Sequence, residues 1–371
     1  MTMREPAEVF PPGDFLKEEL DERGWSQQEL ADILDRPPRL ISEIIGGKRA
    51  ITPETALGLS EALDTSADYW MNLESQYQLS KVKVGTDTIQ RKARLYEAFP
   101  VREMLRMRWI EGSDDLATLE HRFCSFFDIP NTSVKPSLLH AAKKTDATSG
   151  PTQEQVAWLY RVRQLASQKK ALRYSEKKLR DSLDTLERCR QTPEDVARVP
   201  ELLAHAGVQL VCVEPVSGSK IDGACMWLHD RPIIGMTLRF DRIDNFWFVL
   251  RHEIEHVLKE DGKTKPVLDT EVGLDGGDLP KAERLANAAA ANFCVPQAAL
   301  TEFIQVVAPY FSEEKVVTFA ERMRVHPGLV VGQIQRRLNR HDFLRKHQVK
   351  IRHLLLQSAL SDGWGAVSTI G

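Results

Sequence analysis

The sequence predicts a mainly α-helical protein that contains one small α+β domain with a short antiparallel sheet. Most of the chain has apolar residues at helical spacing, interrupted by glycine and proline. Three strand-like runs, VQLVCV, GACMWL and PIIGMTL, lie close together between residues 208 and 238. A helical segment, FWFVLRHEIEHVLKE, follows them. We expect the sheet to pack against this helix.

Composition places the chain among soluble globular proteins of two or three domains. It has 371 residues, of which 42% are hydrophobic and 28% charged, with a formal net charge of -3. This charge argues against general attraction to nucleic acid, so any DNA binding must come from a local basic patch. No run approaches the roughly 20 apolar residues of a membrane helix, and the first residues lack a signal-peptide pattern. The five cysteines include no C-x-x-C pair. We therefore expect a cytoplasmic protein with reduced thiols and no membrane partner.

The positions of glycine and proline, which interrupt helices, predict that the chain has four regions. Residues 1–85 form a unit of about five short helices, and residues 86–195 form a helical middle region with a polar linker near 143–151. The α+β domain spans 196–300, and a helical region spans 301–371.

The first region contains two short helices in succession. Ser26 precedes the first one, with Glu29 three residues later, which is a capping-box pattern, and Leu30 and Ile33 are expected to face inward. A second apolar-faced helix ends at Gly46. This pair predicts a helix-turn-helix, whose second helix reads the major groove, although a purely structural helical bundle fits the same spacing.

Five polar residues are the predicted DNA contacts of this unit. Arg39 and Ser42 lie on the second helix and would point to bases. Gln27, Lys48 and Arg49 would hold phosphates instead. The expected partner is double-stranded operator DNA, bound by a homodimer because such proteins recognise paired half-sites.

The helix after the strands carries an H-E-x-x-H arrangement. His252 and His256 are four residues apart, so both imidazoles leave the same helix face and can bind one cation. Glu253 is then placed beside the metal as a general base. Glu283, on a downstream alanine-rich helix, is the best candidate for a third ligand. The predicted cofactor is one Zn²⁺ per chain, with a fourth position open for water.

Two stretches of the chain resemble known families. Residues from Leu202 to Pro296 resemble the ImmA/IrrE metallopeptidases, including the pattern E-x-x-A-N-x-x-A-x-x-x-x-x-P that begins at Glu283. The resemblance implies that His252, His256 and Glu283 bind zinc and that Glu253 is the catalytic base. The chain departs from the family pattern at Ala289 and in the triplet Phe293-Cys294-Val295, and neither departure removes a ligand.

Residues 13–79 resemble the XRE-type helix-turn-helix domain of the HigA antitoxins. The pair Pro37-Pro38 departs from this family at the start of the second helix, where polar residues that contact bases are common.

Together these features predict a DNA-binding transcriptional regulator, antitoxin-like, that carries a zinc-dependent endopeptidase. Its substrate would be a protein partner, such as a cognate toxin or repressor, or the chain itself, in a stress, toxin-antitoxin or mobile-element response. The alternative is a DNA-binding antitoxin or repressor whose zinc domain is a non-proteolytic sensor or a toxin-binding module. A general base at Glu253 favours the enzyme, because a structural metal site needs no base.

Overall fold

A computed structural model of the chain describes residues 9–82, 87–138, 143–144, 150–169, 172–270, 272 and 279–365. The chain divides into two compact units, Met1–Ile89 and Gln90–Gly371. Within the described residues, no helix has both the length and the apolar character needed to cross a membrane.

The first unit consists of five helices, as the sequence predicts. They are α1 Pro12–Arg23, α2 Gln27–Ile33, α3 Pro38–Ile45, α4 Pro53–Leu63 and α5 Ala67–Lys81. Apolar side chains from all five helices meet in one core, which includes Leu16, Leu30, Ile41, Leu59 and Trp70. The unit therefore has a hydrophobic core of its own.

Local sequence signals determine where α2 and α3 begin. Ser26 and Glu29 form the predicted capping box, with a hydrogen bond from the Glu29 amide to Ser26 Oγ of 3.2 Å. Pro38 occupies the first turn of α3, where its missing N–H costs no helical hydrogen bond. The prediction for Ile33 is wrong, because its side chain is 51% exposed at the end of α2 while Leu30 is fully buried.

The second unit combines helices with one sheet, whose last strand lies near the end of the described residues. Its helices are α6 Thr88–Ala98, α7 Val101–Arg106, α8 Leu116–Phe127, α9 Gln153–Gln168, α10 Glu176–Cys189, α11 Val199–His205, α12 Ile243–Leu258, α13 Lys281–Cys294, α14 Gln297–Val307, α15 Glu313–Met323, α16 Pro327–Leu338 and α17 Arg352–Leu355, with short 3₁₀ turns at Glu194–Arg198 and Arg345–His347. Its strands are β1 Lys143–Lys144, β2 Gln209–Val213, β3 Ile221–Leu228, β4 Arg231–Met236, β5 Val267–Thr270 and β6 Leu360–Asp362.

The sheet is mixed, so the prediction of an antiparallel sheet is wrong. Its strand order is β1-β5-β3-β4-β2-β6. Strand β3 is antiparallel to both β4 and β5, whereas β2 is parallel to β4 and to β6, and β1 is parallel to β5. Three strands lie outside the three predicted ones: β1 forms in the predicted linker, β5 forms after α12, and β6 forms in a tail with weak apolar patterning.

Helices cover both faces of the sheet. Successive residues of β2 show this, because Leu210 and Cys212 pack in the core that contains α12, whereas Val211 and Val213 pack in the core that contains α9. Burial on both faces explains the continuous apolar runs of the strands, which lack polar alternation.

The segments predicted as 86–195, 196–300 and 301–371 share these two cores and form one compact unit. In the predicted linker at 143–151, Lys143–Lys144 pairs with β5, Gly150 and Pro151 are described, and residues 145–149 lie outside the described part of the chain.

Candidate metal centre and helix-turn-helix surface

Helix α12 brings the two predicted histidine ligands together. It packs on the sheet and is buried along most of its length, so His252 and His256 are each only 1% exposed. Their Nε2 atoms lie 3.1 Å apart, and the four-residue spacing puts both rings on one face of the helix. Glu255 lies away from this face and pairs with Arg251 at 2.9 Å.

Helix α13 places Glu283 against the same two rings. Glu283 Oε2 lies 3.3 Å from His252 Nε2 and 3.6 Å from His256 Nε2. Ala286 and Ala290 follow on the buried side of the helix, and their small side chains permit close approach to α12. Pro280 is the N-cap residue of α13.

A fourth candidate ligand, Asp269 on β5, was missed by the sequence analysis. It is fully buried, and its Oδ2 lies 3.5 Å from His252 Nε2 and 3.8 Å from His256 Nε2. Ligand atoms of Asp269, His252, His256 and Glu283 all lie within 4.8 Å of one another. The sequence signal that could have found it is an aspartate that directly follows the apolar pair Val267-Leu268 in the short strand VLDT.

This donor set fits zinc. Ligand atoms bound tetrahedrally at 2.0–2.2 Å from one ion are separated by about 3.3–3.6 Å. This is close to the 3.1–3.8 Å that separate the two imidazole nitrogens from each other and from the two carboxylates. Imidazole and carboxylate are ordinary zinc ligands. In addition, Glu283 Oε2 is buried without a hydrogen-bond partner among the described residues. A buried carboxylate in that condition is costly, and a cation would satisfy it.

The Nδ1 atom of each histidine, which points away from the centre, has its own hydrogen-bond acceptor. His252 Nδ1 lies 3.0 Å from Asn287 Oδ1, and His256 Nδ1 lies 3.0 Å from Asp261 Oδ2. When each Nδ1–H donates to its acceptor, each Nε2 keeps a free lone pair that faces the centre. The loop after α12 fixes Asp261, because its carbonyl accepts a hydrogen bond of 2.9 Å from Trp227 Nε1.

Glu253 lies beside the centre in a space left by a glycine. A Cβ atom on Gly223 of β3 would collide with Glu253 Oε1 and would crowd Val249. Gly223 pairs in register with Asp269, so the Glu253 carboxyl lies over the strand next to that residue. Glu253 is fully buried, and neither of its oxygens has a hydrogen-bond partner within the described parts of the chain.

The buried carboxyl groups around the centre shift the pKa values of Glu253 and His256. Burial raises the pKa of Glu253 well above its usual value, and repulsion by Asp269 raises it further. Burial lowers the pKa of His256, but the carboxylates of Glu283, Asp269 and Asp261 outweigh this effect and raise the pKa to about 9. Both shifts describe the centre without a cation, and a bound dication would oppose them.

A pocket of about 230 Å³ opens beside the centre. His256, Asp261, Lys265, Pro280 and Glu283 contribute to its lining. Neither Glu253 nor Asp269 lines it. The pocket therefore gives access to His256 and Glu283, whereas Glu253 lies behind them.

The five predicted DNA contacts are exposed on the first unit. Gln27 lies at the start of α2, Arg39 and Ser42 lie on α3, and Lys48 and Arg49 follow α3. The side chain of Arg39 is 87% exposed. Glu43 organises this surface, because it accepts hydrogen bonds from Arg39 Nε at 2.7 Å and from Arg49 Nη1 at 3.3 Å.

His326 is the N-cap residue of α16. Its Nδ1 accepts a hydrogen bond of 3.0 Å from the Gly328 amide, which is a structural role.

The successive short helices α2 and α3, packed among five helices, define a helix-turn-helix domain. A sequence model described as helix-turn-helix matches residues 16–70. The chain is 36% identical over 76 residues to YddM of Escherichia coli K12, named an uncharacterized HTH-type transcriptional regulator, and this match covers 20% of the chain and 81% of YddM. Through its first unit, the chain belongs to the helix-turn-helix family.

Two further similarities fall in the same part of the chain. Virulence-associated protein A of Dichelobacter nodosus is 41% identical over 73 residues, which is 19% of this chain and 72% of that protein. The solved structure of the Pseudomonas aeruginosa antitoxin HigA with the higBA promoter is 35% identical, with a TM-score of 0.19, and the match covers 20% of this chain and 80% of that one.

Proposed function

We propose that the chain is a DNA-binding transcriptional regulator, antitoxin-like, that carries a zinc-dependent endopeptidase of the ImmA/IrrE type. One observation carries the enzymatic part of this proposal. His252, His256 and Glu283 converge with ligand atoms 3.1–3.6 Å apart, and the carboxyl of Glu253 lies next to them. A buried general base beside three metal ligands suits hydrolysis and has no use in a structural site.

Different residues of the chain would bind the metal, orient its ligands and transfer the proton. His252, His256 and Glu283 would hold the ion, and Asn287 and Asp261 would keep the two imidazoles oriented with Nε2 inward. Bound zinc supplies Lewis acidity, which acidifies water and polarises a peptide carbonyl. Glu253 would accept a proton at its carboxylate and later return it to the leaving amine.

The DNA-binding part rests on the first unit. The relative YddM is named an uncharacterized HTH-type transcriptional regulator. All five predicted contacts are exposed. Arg39 and Ser42 on α3 would enter a groove, and Gln27, Lys48 and Arg49 would contact phosphates. The expected ligand is double-stranded operator DNA, bound by a homodimer across two half-sites.

The substrate in this proposal is a protein: a repressor, a toxin or another copy of the chain. Carrying the peptidase and the DNA-binding domain on one chain raises the local concentration of enzyme near targets bound to the same operator. Cleavage would then relieve repression in a stress, toxin-antitoxin or mobile-element response.

The test compares wild type with Glu253→Gln, which removes only the base. Both proteins should bind one zinc per chain and the same promoter DNA, and only wild type should generate fragments of a candidate partner or of itself, followed by mass spectrometry. A His252→Ala variant should lose zinc as well as cleavage. If wild type and Glu253→Gln give the same fragments and the same derepression in cells, the peptidase is excluded, and the chain is an antitoxin or repressor whose zinc domain senses or binds without cleaving.

A further inference from the structure

The metal centre has one ligand more than a hydrolytic zinc site requires. Catalytic zinc sites bind three protein side chains and keep the fourth position for water or substrate. Here a carboxylate oxygen of Asp269 is available as a fourth candidate, 3.5 Å and 3.8 Å from the two imidazole nitrogens of His252 and His256. Tetrahedral neighbours around one ion lie about 3.3–3.6 Å apart, so the first separation matches and the second is slightly longer, and all four candidate ligand atoms lie within 4.8 Å of one another.

Asp269 also lies on the side of the centre where the base is. It pairs across the sheet with Gly223, and the carboxyl of Glu253 fills the space above that glycine. Of the charged groups around Glu253, Asp269 acts on it most strongly. The Asp269 carboxylate thus adjoins both the histidines and the base, which is the place that water must occupy for Glu253 to take its proton.

The pocket through which solvent approaches also indicates that Asp269 lies on the buried side of the centre, with Glu253. The pocket beside it reaches His256 and Glu283, but Asp269 and Glu253 are fully buried and do not line it. A small molecule that enters this pocket therefore contacts His256 and Glu283 but neither Asp269 nor Glu253.

We infer that Asp269 is a fourth zinc ligand that closes the centre at rest, so that hydrolysis requires Asp269 to leave the metal. This inference rests on the proposed zinc site and adds its resting state. Asp269 lies one residue before the end of β5 at Thr270, so displacement of the end of this short strand is sufficient to withdraw it.

The test uses full-length protein loaded with Co²⁺, whose visible absorption reports the ligands and their number, and acetohydroxamate as the probe of an open position. We expect the wild-type spectrum to be that of four-coordinate cobalt and to remain unchanged by millimolar acetohydroxamate. Asp269→Ala should change the spectrum and bind acetohydroxamate at least about tenfold more tightly than wild type, with zinc affinity lowered about 10-fold or more. Asp269→Asn serves as a variant of conserved volume, and Asp230→Asn, in an exposed turn, is the matched control that should behave as wild type.

Wild-type cobalt protein that binds acetohydroxamate as well as Asp269→Ala does would overturn the inference and leave the zinc peptidase intact. Wild-type protein that binds neither Zn²⁺ nor Co²⁺ stoichiometrically would instead remove the proposed metal site itself. The wild-type measurement decides between closed and open even when Asp269→Ala fails to fold.

Discussion

Arg161 Nε donates a hydrogen bond of 2.6 Å to Asp362 Oδ2, although the two residues are 201 positions apart. Both side chains are at most 2% exposed, and Trp109 Nε1 donates to the same oxygen at 2.8 Å. This contact joins α9 and the segment after α7 to the last strand, β6. A tail with little apolar pattern is therefore held by a buried charge pair.

Removing the carboxylate of Asp362 should destabilise the second unit strongly. Asp362→Ala leaves the guanidinium of Arg161 buried without this partner, a change that costs about 3–5 kcal/mol in free energy of unfolding. Urea unfolding followed by tryptophan fluorescence measures it. Asp342→Ala, which breaks an exposed pair with Arg340, is the control and should leave the transition unchanged. Equal transitions for the two variants would contradict the assigned role of the buried pair.

Zinc affinity should depend on the acceptors behind the two histidines. We expect Asn287→Ala and Asp261→Asn each to weaken zinc binding about 10–100-fold, because the imidazoles lose the partners that orient them. Competition with a chromophoric chelator measures the dissociation constant. Asn292→Ala, on the same helix but exposed, should bind zinc as wild type does. Unchanged affinity in both test variants would show that the packing of α12 alone orients the rings.

DNA binding should separate into a sequence-reading part and a phosphate part. Arg39→Ala should reduce discrimination between operator and unrelated DNA, whereas Lys48→Ala should weaken binding to both and lower the salt slope by about 1. Titrations of the protein's own promoter at several salt concentrations give both quantities. Lys17→Ala, on the exposed side of α1, is the control. A fragment of residues 1–89 that shows no binding, while residues 90–371 do bind, would refute the location of the site.

We expect that a side chain at position 223 is unfavourable mainly because it would collide with the Glu253 carboxyl. Gly223→Ala should cost about 1–3 kcal/mol in free energy of unfolding through overpacking, and the cost should shrink in a Glu253→Ala background, where the obstructing carboxyl is absent. A double-mutant cycle from urea unfolding gives this coupling. Gly112→Ala, where a Cβ meets only Leu105 at 3.9 Å, should show no coupling to Glu253. An equal cost of Gly223→Ala in both backgrounds would mean that Val249 causes the crowding.

The sequence predicts those parts of the molecule that local spacing determines. His252 and His256 lie one helical turn apart wherever the helix packs, and Ser26 with Glu29 caps α2 without tertiary help. Asp269 could not be predicted in this way, because its position depends on how β5 aligns with β3 and how that sheet meets α12.

The local sequence pattern also could not predict whether neighbouring strands run parallel or antiparallel. Strand β2 has residues buried on both faces, so its sequence does not distinguish a parallel from an antiparallel neighbour. Its pairing with β6 depends on a segment about 150 residues further along, and a charge pair with Arg161 stabilises that segment.

The position of β6 in the chain also sets an order of events during translation. The five helices of the first unit can pack as soon as about 89 residues have left the ribosome, because their core lies within that stretch. The sheet that carries Asp269 receives its last strand only when Asp362 has been synthesised. A nascent chain, or one cut short by a premature stop codon, therefore presents the helix-turn-helix while the other unit is still incomplete.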